Sequence, residues 1–243
     1  MSASSRRRAA VAVLFSVLSI FVLAPGAVAA IVTVPLVDPF NPDFDSGWSV
    51  TYNDANTHVI VDQVTILGDF AVIQITKDFT LPPDQLTGLF PAILLDFVQR
   101  LDDSQTVPRI IIADEDVRNL TGVPWNDFHW QLLDHGNAAF DVQLSGLFGI
   151  QPPPQFQAQH WTLVEPGLAS ALTVFQGTII AGGVYRPGLD DSDLVINVNL
   201  DGEEPVSFSL KEYPTNTGVP EPATVLLMGF GLAGLFLRRR TGR

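Results

Sequence analysis

Leu194-Val195-Ile196-Asn197-Val198-Asn199-Leu200 and Val206-Ser207-Phe208-Ser209-Leu210-Lys211 are the stretches from which the fold is read. In the first, Leu194, Ile196, Val198 and Leu200 fall on one side, with Asn197 and Asn199 on the other. In the second, Val206, Phe208 and Leu210 oppose Ser207, Ser209 and Lys211. Side chains alternate across a strand with period two, so each stretch has one face to bury and one to solvate. The same alternation predicts a strand through Phe140, Val142 and Leu144, opposed by Asp141, Gln143 and Ser145. Further strand-like runs are Ile31–Val37, Trp48–Asn53, His58–Leu67, Phe70–Phe79, Ala92–Gln99, Arg109–Val117, Asp127–Leu133 and Ala171–Ile180. Runs of this kind separated by Pro, Gly, Asn and Asp turns predict an all-β protein, an antiparallel β-sandwich of jelly-roll type. The one helical contender, Asp84–Val98, is interrupted by Pro91, which leaves at most a short turn near Asp84–Leu89. Gln151-Pro152-Pro153-Pro154 reads as an exposed extended loop.

The chain has 243 residues, enough for one domain with a real core between two terminal segments. It has no cysteine, so an exported fold must stand without disulfides. All 26 acidic residues lie between Ile31 and Pro222, against six basic ones there (Lys77, Arg100, Arg109, Arg118, Arg186 and Lys211), a net charge of −20 for that segment. Such a surface repels nucleic acid and anionic lipid, so no nucleic-acid partner is expected. It either gathers divalent cations or simply keeps the protein soluble outside the cell.

The seven remaining arginines sit in the terminal segments. Residues 1–30 read as a signal peptide, a helix in which Arg6, Arg7 and Arg8 precede an apolar core, Ala9–Ala24. Pro25-Gly26 breaks that helix before the small-x-small site Ala27-Val28-Ala29, with cleavage after Ala29 or Ala30. The implied partners are the secretory translocon and signal peptidase; the strongly apolar core favours the general route over twin-arginine export. Residues 31–212 form the expected β-sandwich ectodomain, 213–219 a tether and 220–243 a sorting and anchor segment. In that last segment Pro220-Glu221-Pro222 is followed by fifteen uncharged residues, Ala223 to Leu237, and then Arg238, Arg239 and Arg240. The two prolines keep the motif extended. As a transmembrane helix the apolar run spans roughly 22 Å, short of a ~30 Å hydrocarbon core, and the arginines act as a membrane stop that narrows the gap by snorkelling.

Val219-Pro220-Glu221-Pro222-Ala223, the Leu/Gly-rich run and the Arg cluster together resemble the PEP-CTERM sorting signal of exported bacterial proteins. The resemblance implies processing by an exosortase, in Gram-negative cells that make extracellular polysaccharide. It also implies an inner-membrane-anchored precursor that later reaches the cell envelope or the extracellular space. Two other motifs there are decoys. Gly229-Phe230-Gly231-Leu232-Ala233-Gly234 spells a dinucleotide-binding fingerprint, but no strand precedes it and too few residues follow for a βαβ unit. Pro214-Thr215-Asn216-Thr217-Gly218 lacks the Leu and the spacing of a sortase site.

Catalytic signatures are sparse: no thiol, no Gly-x-Ser-x-Gly elbow, no His-Glu-x-x-His pair and no phosphate loop. No catalytic residue is named, and an enzyme is not expected. A sharper hypothesis concerns Val117–Asp134, where Asn119-Leu120-Thr121-Gly122 and Trp125-Asn126-Asp127-Phe128-His129-Trp130 resemble a pattern in the β-domains of other PEP-CTERM proteins. On a strand, Phe128, Trp130 and Leu132 point inward, leaving Trp125, Asp127, His129 and Gln131 on the opposite face. That face is either an aromatic plate with polar neighbours for binding a glycan, or an ordinary solvated sheet face. For metals, Asp190, Asp191 and Asp193 form one acidic cluster and Asp38, Asn41, Asp43 and Asp45 another, both candidates for calcium though neither keeps EF-hand spacing. His129 with Asp134 and His135 makes a weak zinc signal. No other cofactor is expected. The functional expectation is an exported structural or adhesive surface protein. The alternatives are a carbohydrate-binding module using Trp125–Gln131 and, behind it, an exopolysaccharide hydrolase.

Overall fold

The computed structural model describes residues 30–216 except 55–56, 134–135, 189–191 and 202–204. Residues 1–29 of the expected signal peptide, the segment beyond Asn216, and Asp134, His135, Asp190 and Asp191 therefore lie outside the described residues. Among the described residues no helix is long and apolar enough to cross a membrane.

The strands follow in chain order as β1 (Ile31–Val37), β2 (Asp45–Asn53), β3 (Thr57–Leu67), β4 (Phe70–Phe79), β5 (Ile93–Gln99), β6 (Arg109–Asn119) and β7 (Asp127–Leu133). After these come β8 (Ala138–Asp141), β9 (Ala158–Glu165), β10 (Leu168–Phe175), β11 (Val184–Tyr185), β12 (Leu194–Val198) and β13 (Ser207–Thr215). Among the described residues the helical content is one turn, α1 (Val142–Ser145), and a short 3₁₀ turn at Asp103–Gln105. The described part of the chain is thus nearly all β.

Instead of two separate sheets, the strands form one continuous path, β1-β2-β5-β13-β7-β10-β8-β12-β6-β4-β3, with β9 branching from β10 and β11 from β6. β10 makes the bend: Ala171–Val174 pair with β7, while Leu168 and Ala169 pair with β8. The far ends of the path also meet, since β3 packs against β1 and β2. The sheet therefore curls around one core.

One ladder departs from the antiparallel expectation. β4 and β6 run parallel, with Phe70 opposite Arg109 and Phe79 opposite Asn119. Parallel neighbours need a long crossover. Here residues 80–108 provide it by laying down β5 beside β2 and β13 before the chain returns.

The core is what the alternation specified. Leu194, Ile196, Val198, Val206, Phe208 and Leu210 are all buried, and Phe208 stacks on Phe97 at 4.9 Å and meets Trp48 edge-on at 5.9 Å. Three strand expectations need correction. The strand through Phe140 stops at Asp141, whose carboxylate accepts hydrogen bonds from the amides of Gln143 and Leu144 and starts α1. Such a cap offers the backbone an alternative to the ladder, and Leu144 ends up exposed. The run Ala171–Ile180 shifts to Leu168–Phe175, ended by Gln176 at φ 60° and Gly177. The tether is shorter than expected, because Tyr213, Pro214 and Thr215 pair with His129, Phe128 and Asp127. Pro214 fits there because β5 pairs β13 only as far as Glu212.

Candidate functional site

The Asn119-to-Trp125 segment decides where Trp125 goes. Asn119 is fully buried at the end of β6. Its Nδ2 donates to the carbonyls of Val123 (2.8 Å), Ile179 (3.2 Å) and Ile180 (3.2 Å). Its Oδ1 accepts from the Thr121 amide (3.2 Å) and hydroxyl (2.7 Å). Gly122 takes φ 78°, which only glycine adopts without strain, and turns the chain back. Trp125 then exchanges two backbone hydrogen bonds with Ile179, at 2.9 and 3.0 Å. The Asn-x-Thr-Gly pattern is a clamp between two loops.

That clamp drives Trp125 into the core, where it is 0% exposed and edge-on to Phe79 at 5.2 Å. The expectation that Trp125 shares the outer face is overturned: it precedes β7 and does not follow the strand's alternation. From Asp127 onward the alternation holds. Phe128, Trp130 and Leu132 are buried, and Asp127, His129 and Gln131 point the other way.

The outer face is a cross-strand row, Tyr213–His129–Thr173–His160, running over β13, β7, β10 and β9. Tyr213 stacks on His129 at 4.7 Å with the rings 10° apart, and the Lys211 ammonium lies 4.6 Å from the Tyr213 ring centre. His129 Nδ1 is 2.9 Å from Thr173 Oγ1, and its Nε2 is 3.3 Å from Asp127 Oδ1. Thr215 donates its hydroxyl to the same Asp127 oxygen. Burial works to raise Asp127, but hydrogen bonding to His129 and Thr215 outweighs it and holds the carboxyl below the usual range. Burial, helped by the Asp127 charge, pushes the Tyr213 phenol up.

Carboxylate, imidazole and hydroxyl do line up here. Thr173 sits in the middle of β10, paired with β7 on one side and β9 on the other. A polar ladder continues across the same face, with Thr33 bonded to Thr51 at 2.9 Å and Ser209 to Asp96 at 2.6 Å. The arrangement presents hydrogen-bonding groups along one face of the sheet. Two clefts of about 360 and 260 Å³ lie elsewhere, one at Asn137, Glu165 and Asn199 and the other at Arg100, Asp102 and Pro205.

The acidic loop before β2 is internally engaged. Asp38 accepts from the amides of Phe40 and Asn41, and both Asp45 oxygens face Arg100, at 2.6 and 2.8 Å. Among the described residues no three His, Asp or Glu side chains gather as a metal site.

Sequence reasoning missed a group inside the fold. Lys77 of β4, Glu115 of β6 and Glu212 of β13 are all 0% exposed. Lys77 Nζ donates to Glu115 Oε1 and to both oxygens of Glu212, at 2.7 and 2.8 Å. Burial, reinforced by the Glu115 charge, raises Glu212 to about 8 against the pull of Lys77. Burial lowers Lys77, but the two carboxylates prevail and hold it above its ordinary value. The signal was available: Ala71, Ile73 and Ile75 put Lys77 in the inward register, and Phe208 and Leu210 do the same for Glu212.

The sorting residues Val219, Pro220, Glu221 and Pro222 and the stop Arg238, Arg239 and Arg240 lie beyond the described residues, but comparison reaches them. The family model of the PEP-CTERM protein-sorting motif matches residues 218–240. Neither curated proteins nor solved structures offer a match to this chain. Residues 218–240 therefore carry a PEP-CTERM protein-sorting motif, which supports an exported protein sorted by an exosortase.

Proposed function

We propose that the protein is a structural or adhesive component of the cell surface or extracellular matrix, and that its curled sheet is the cargo of the sorting motif. The observation that carries this reading is the PEP-CTERM match two residues beyond the last described residue, Asn216. β13 is paired as far as Thr215, so only Asn216–Val219 separate the sheet from Pro220. Four extended residues reach about 14 Å at most. During processing the acidic domain is therefore held close to the membrane, and the tail is then cut or exchanged. The reading assigns no catalytic residue and no cofactor.

A second reading has one specific observation in its favour. The half-buried Tyr213–His129 stack, with Lys211, Thr173 and Gln131 beside it, joins an aromatic ring to several hydrogen-bonding groups on one face. That combination suits the ring and hydroxyls of a sugar. It replaces the Trp125 plate with Tyr213.

The test is fractionation of a polysaccharide-producing culture with and without its exosortase. The account expects the β-domain in the extracellular material when the exosortase is present, and a membrane-held precursor when it is absent. Equal release in both strains would overturn it. For the second reading, Tyr213→Ala is expected to weaken retention on the cell's own polysaccharide without changing the melting transition by more than a few degrees.

A further inference from the structure

The buried group of Lys77, Glu115 and Glu212 brings an amine, an acceptor for its proton and a carboxyl carbon together in the interior. Lys77 Nζ lies 2.7 and 2.8 Å from the two Glu212 oxygens. The nitrogen thus touches both oxygens of the carboxyl group, which keeps it next to Cδ, the atom that joins them. Glu115 Oε1 accepts from the same nitrogen, while Glu115 Oε2 is buried with no hydrogen-bond partner among the described residues. The ladder neighbours are apolar and buried: Val59 and Val117 flank Lys77, and Ile93 and Trp130 flank Glu212. The group is thereby shielded from bulk water, which would reverse an amide condensation.

We propose that Lys77 and Glu212 condense into an intramolecular amide that ties β4 to β13, with Glu115 carrying the proton. The step begins with Lys77 as ammonium, Glu115 as carboxylate and Glu212 as carboxylic acid. Lys77 passes one proton to Glu115, and the freed nitrogen pair attacks Glu212 Cδ. The new C–N bond forms as the C–OH bond breaks. The second nitrogen proton travels through Glu115 to the departing hydroxyl, which leaves as water. Glu115 ends as a neutral acid beside the amide, and the charge of the group is zero before and after.

The rise of Glu212 to about 8, driven first by burial, supports this sequence, since it favours the neutral acid that is the electrophile required. The same chemistry removes a buried ion pair, whose desolvation is otherwise unfavourable. It also supplies a covalent tie to a chain without cysteine. β13 leads toward the sorting motif, so the link would anchor to β4 the strand through which a surface-attached copy is held. This inference does not rest on the proposed matrix role.

The experiment is mass spectrometry of the purified, folded full chain, with its ends defined by peptide mapping and its fold checked by far-ultraviolet circular dichroism. The expected result is a mass lower by one water, and a tryptic fragment joining the Lys77 and Glu212 peptides with no cleavage after Lys77. Folded protein at full mass would overturn the proposal. So would a water loss that maps elsewhere, whether to Lys77–Glu115 or to the Asp201-Gly202 dipeptide. The conservative Glu115→Gln variant should fold and keep its full mass. A Lys77–Glu212 link persisting in that variant would overturn the role given to Glu115.

Discussion

Replacing Trp125 with alanine tests the corrected placement of this residue. The indole has no exposed surface, meets Phe79 edge-on at 5.2 Å and lies against Phe128 at 5.9 Å. Truncating a buried aromatic residue to alanine costs about 3–5 kcal/mol, from lost transfer energy and the cavity left behind. Two aromatic contacts add to the burial term, which places Trp125→Ala near 4 kcal/mol. With a urea slope of about 2 kcal/mol/M, the unfolding midpoint should fall by roughly 2 M. Trp125→Phe keeps a ring and removes no hydrogen bond seen among the described residues, so it should cost only about 1–2 kcal/mol. Urea titrations of the mature protein followed by circular dichroism provide the measurement, because fluorescence changes with the mutation itself. A surface tryptophan would give a change within about 0.5 kcal/mol. That result for Trp125→Ala would refute the core placement and restore the outer-face aromatic plate.

Asn119→Ala removes the partner of three carbonyls and the acceptor of two Thr121 groups, and should cost about 2–3 kcal/mol by the same titration. A neutral effect would mean that the clamp contributes nothing. Asp127 gives a pH test with a definite sign. Its folded value lies below the ordinary carboxyl value of 3.8, so its contribution is complete above that pH and is lost as pH falls through the folded value. The stability difference between the wild type and Asp127→Asn should therefore shrink on acidification below about pH 4; a constant difference would contradict the Asp127–His129–Thr215 arrangement. Glu221→Ala should leave a full-length precursor in the membrane fraction, detected as a larger band on immunoblotting. Normal maturation would count against the role of the motif.

The parts of the fold legible in the sequence are those with one wet and one dry face. β7 and β13 alternate cleanly, so Phe128, Trp130, Phe208 and Leu210 could be placed by period alone. β9 escaped notice because among the described residues it pairs with β10 alone and is mostly exposed, so little enforces alternation in Trp161-Thr162-Leu163-Val164. Val142 and Leu144 kept the period but lost the strand to the cap at Asp141. Trp125 was misplaced because its position depends on hydrogen bonds from Asn119 to residues some 60 positions away. The curl of the sheet and the parallel β4–β6 pair are long-range outcomes that local pattern does not encode. The sorting segment was legible for the opposite reason: its proline pair, apolar run and arginine stop are contiguous and are read without folding.

The central claim is that a sorting motif decides what becomes of this β-domain, and the C-terminus of the mature protein tests it most directly. Peptide mapping of the extracellular form should find the last residue of the original chain at or near Val219–Pro222. An extracellular form that still carries Arg238, Arg239 and Arg240 would contradict the account.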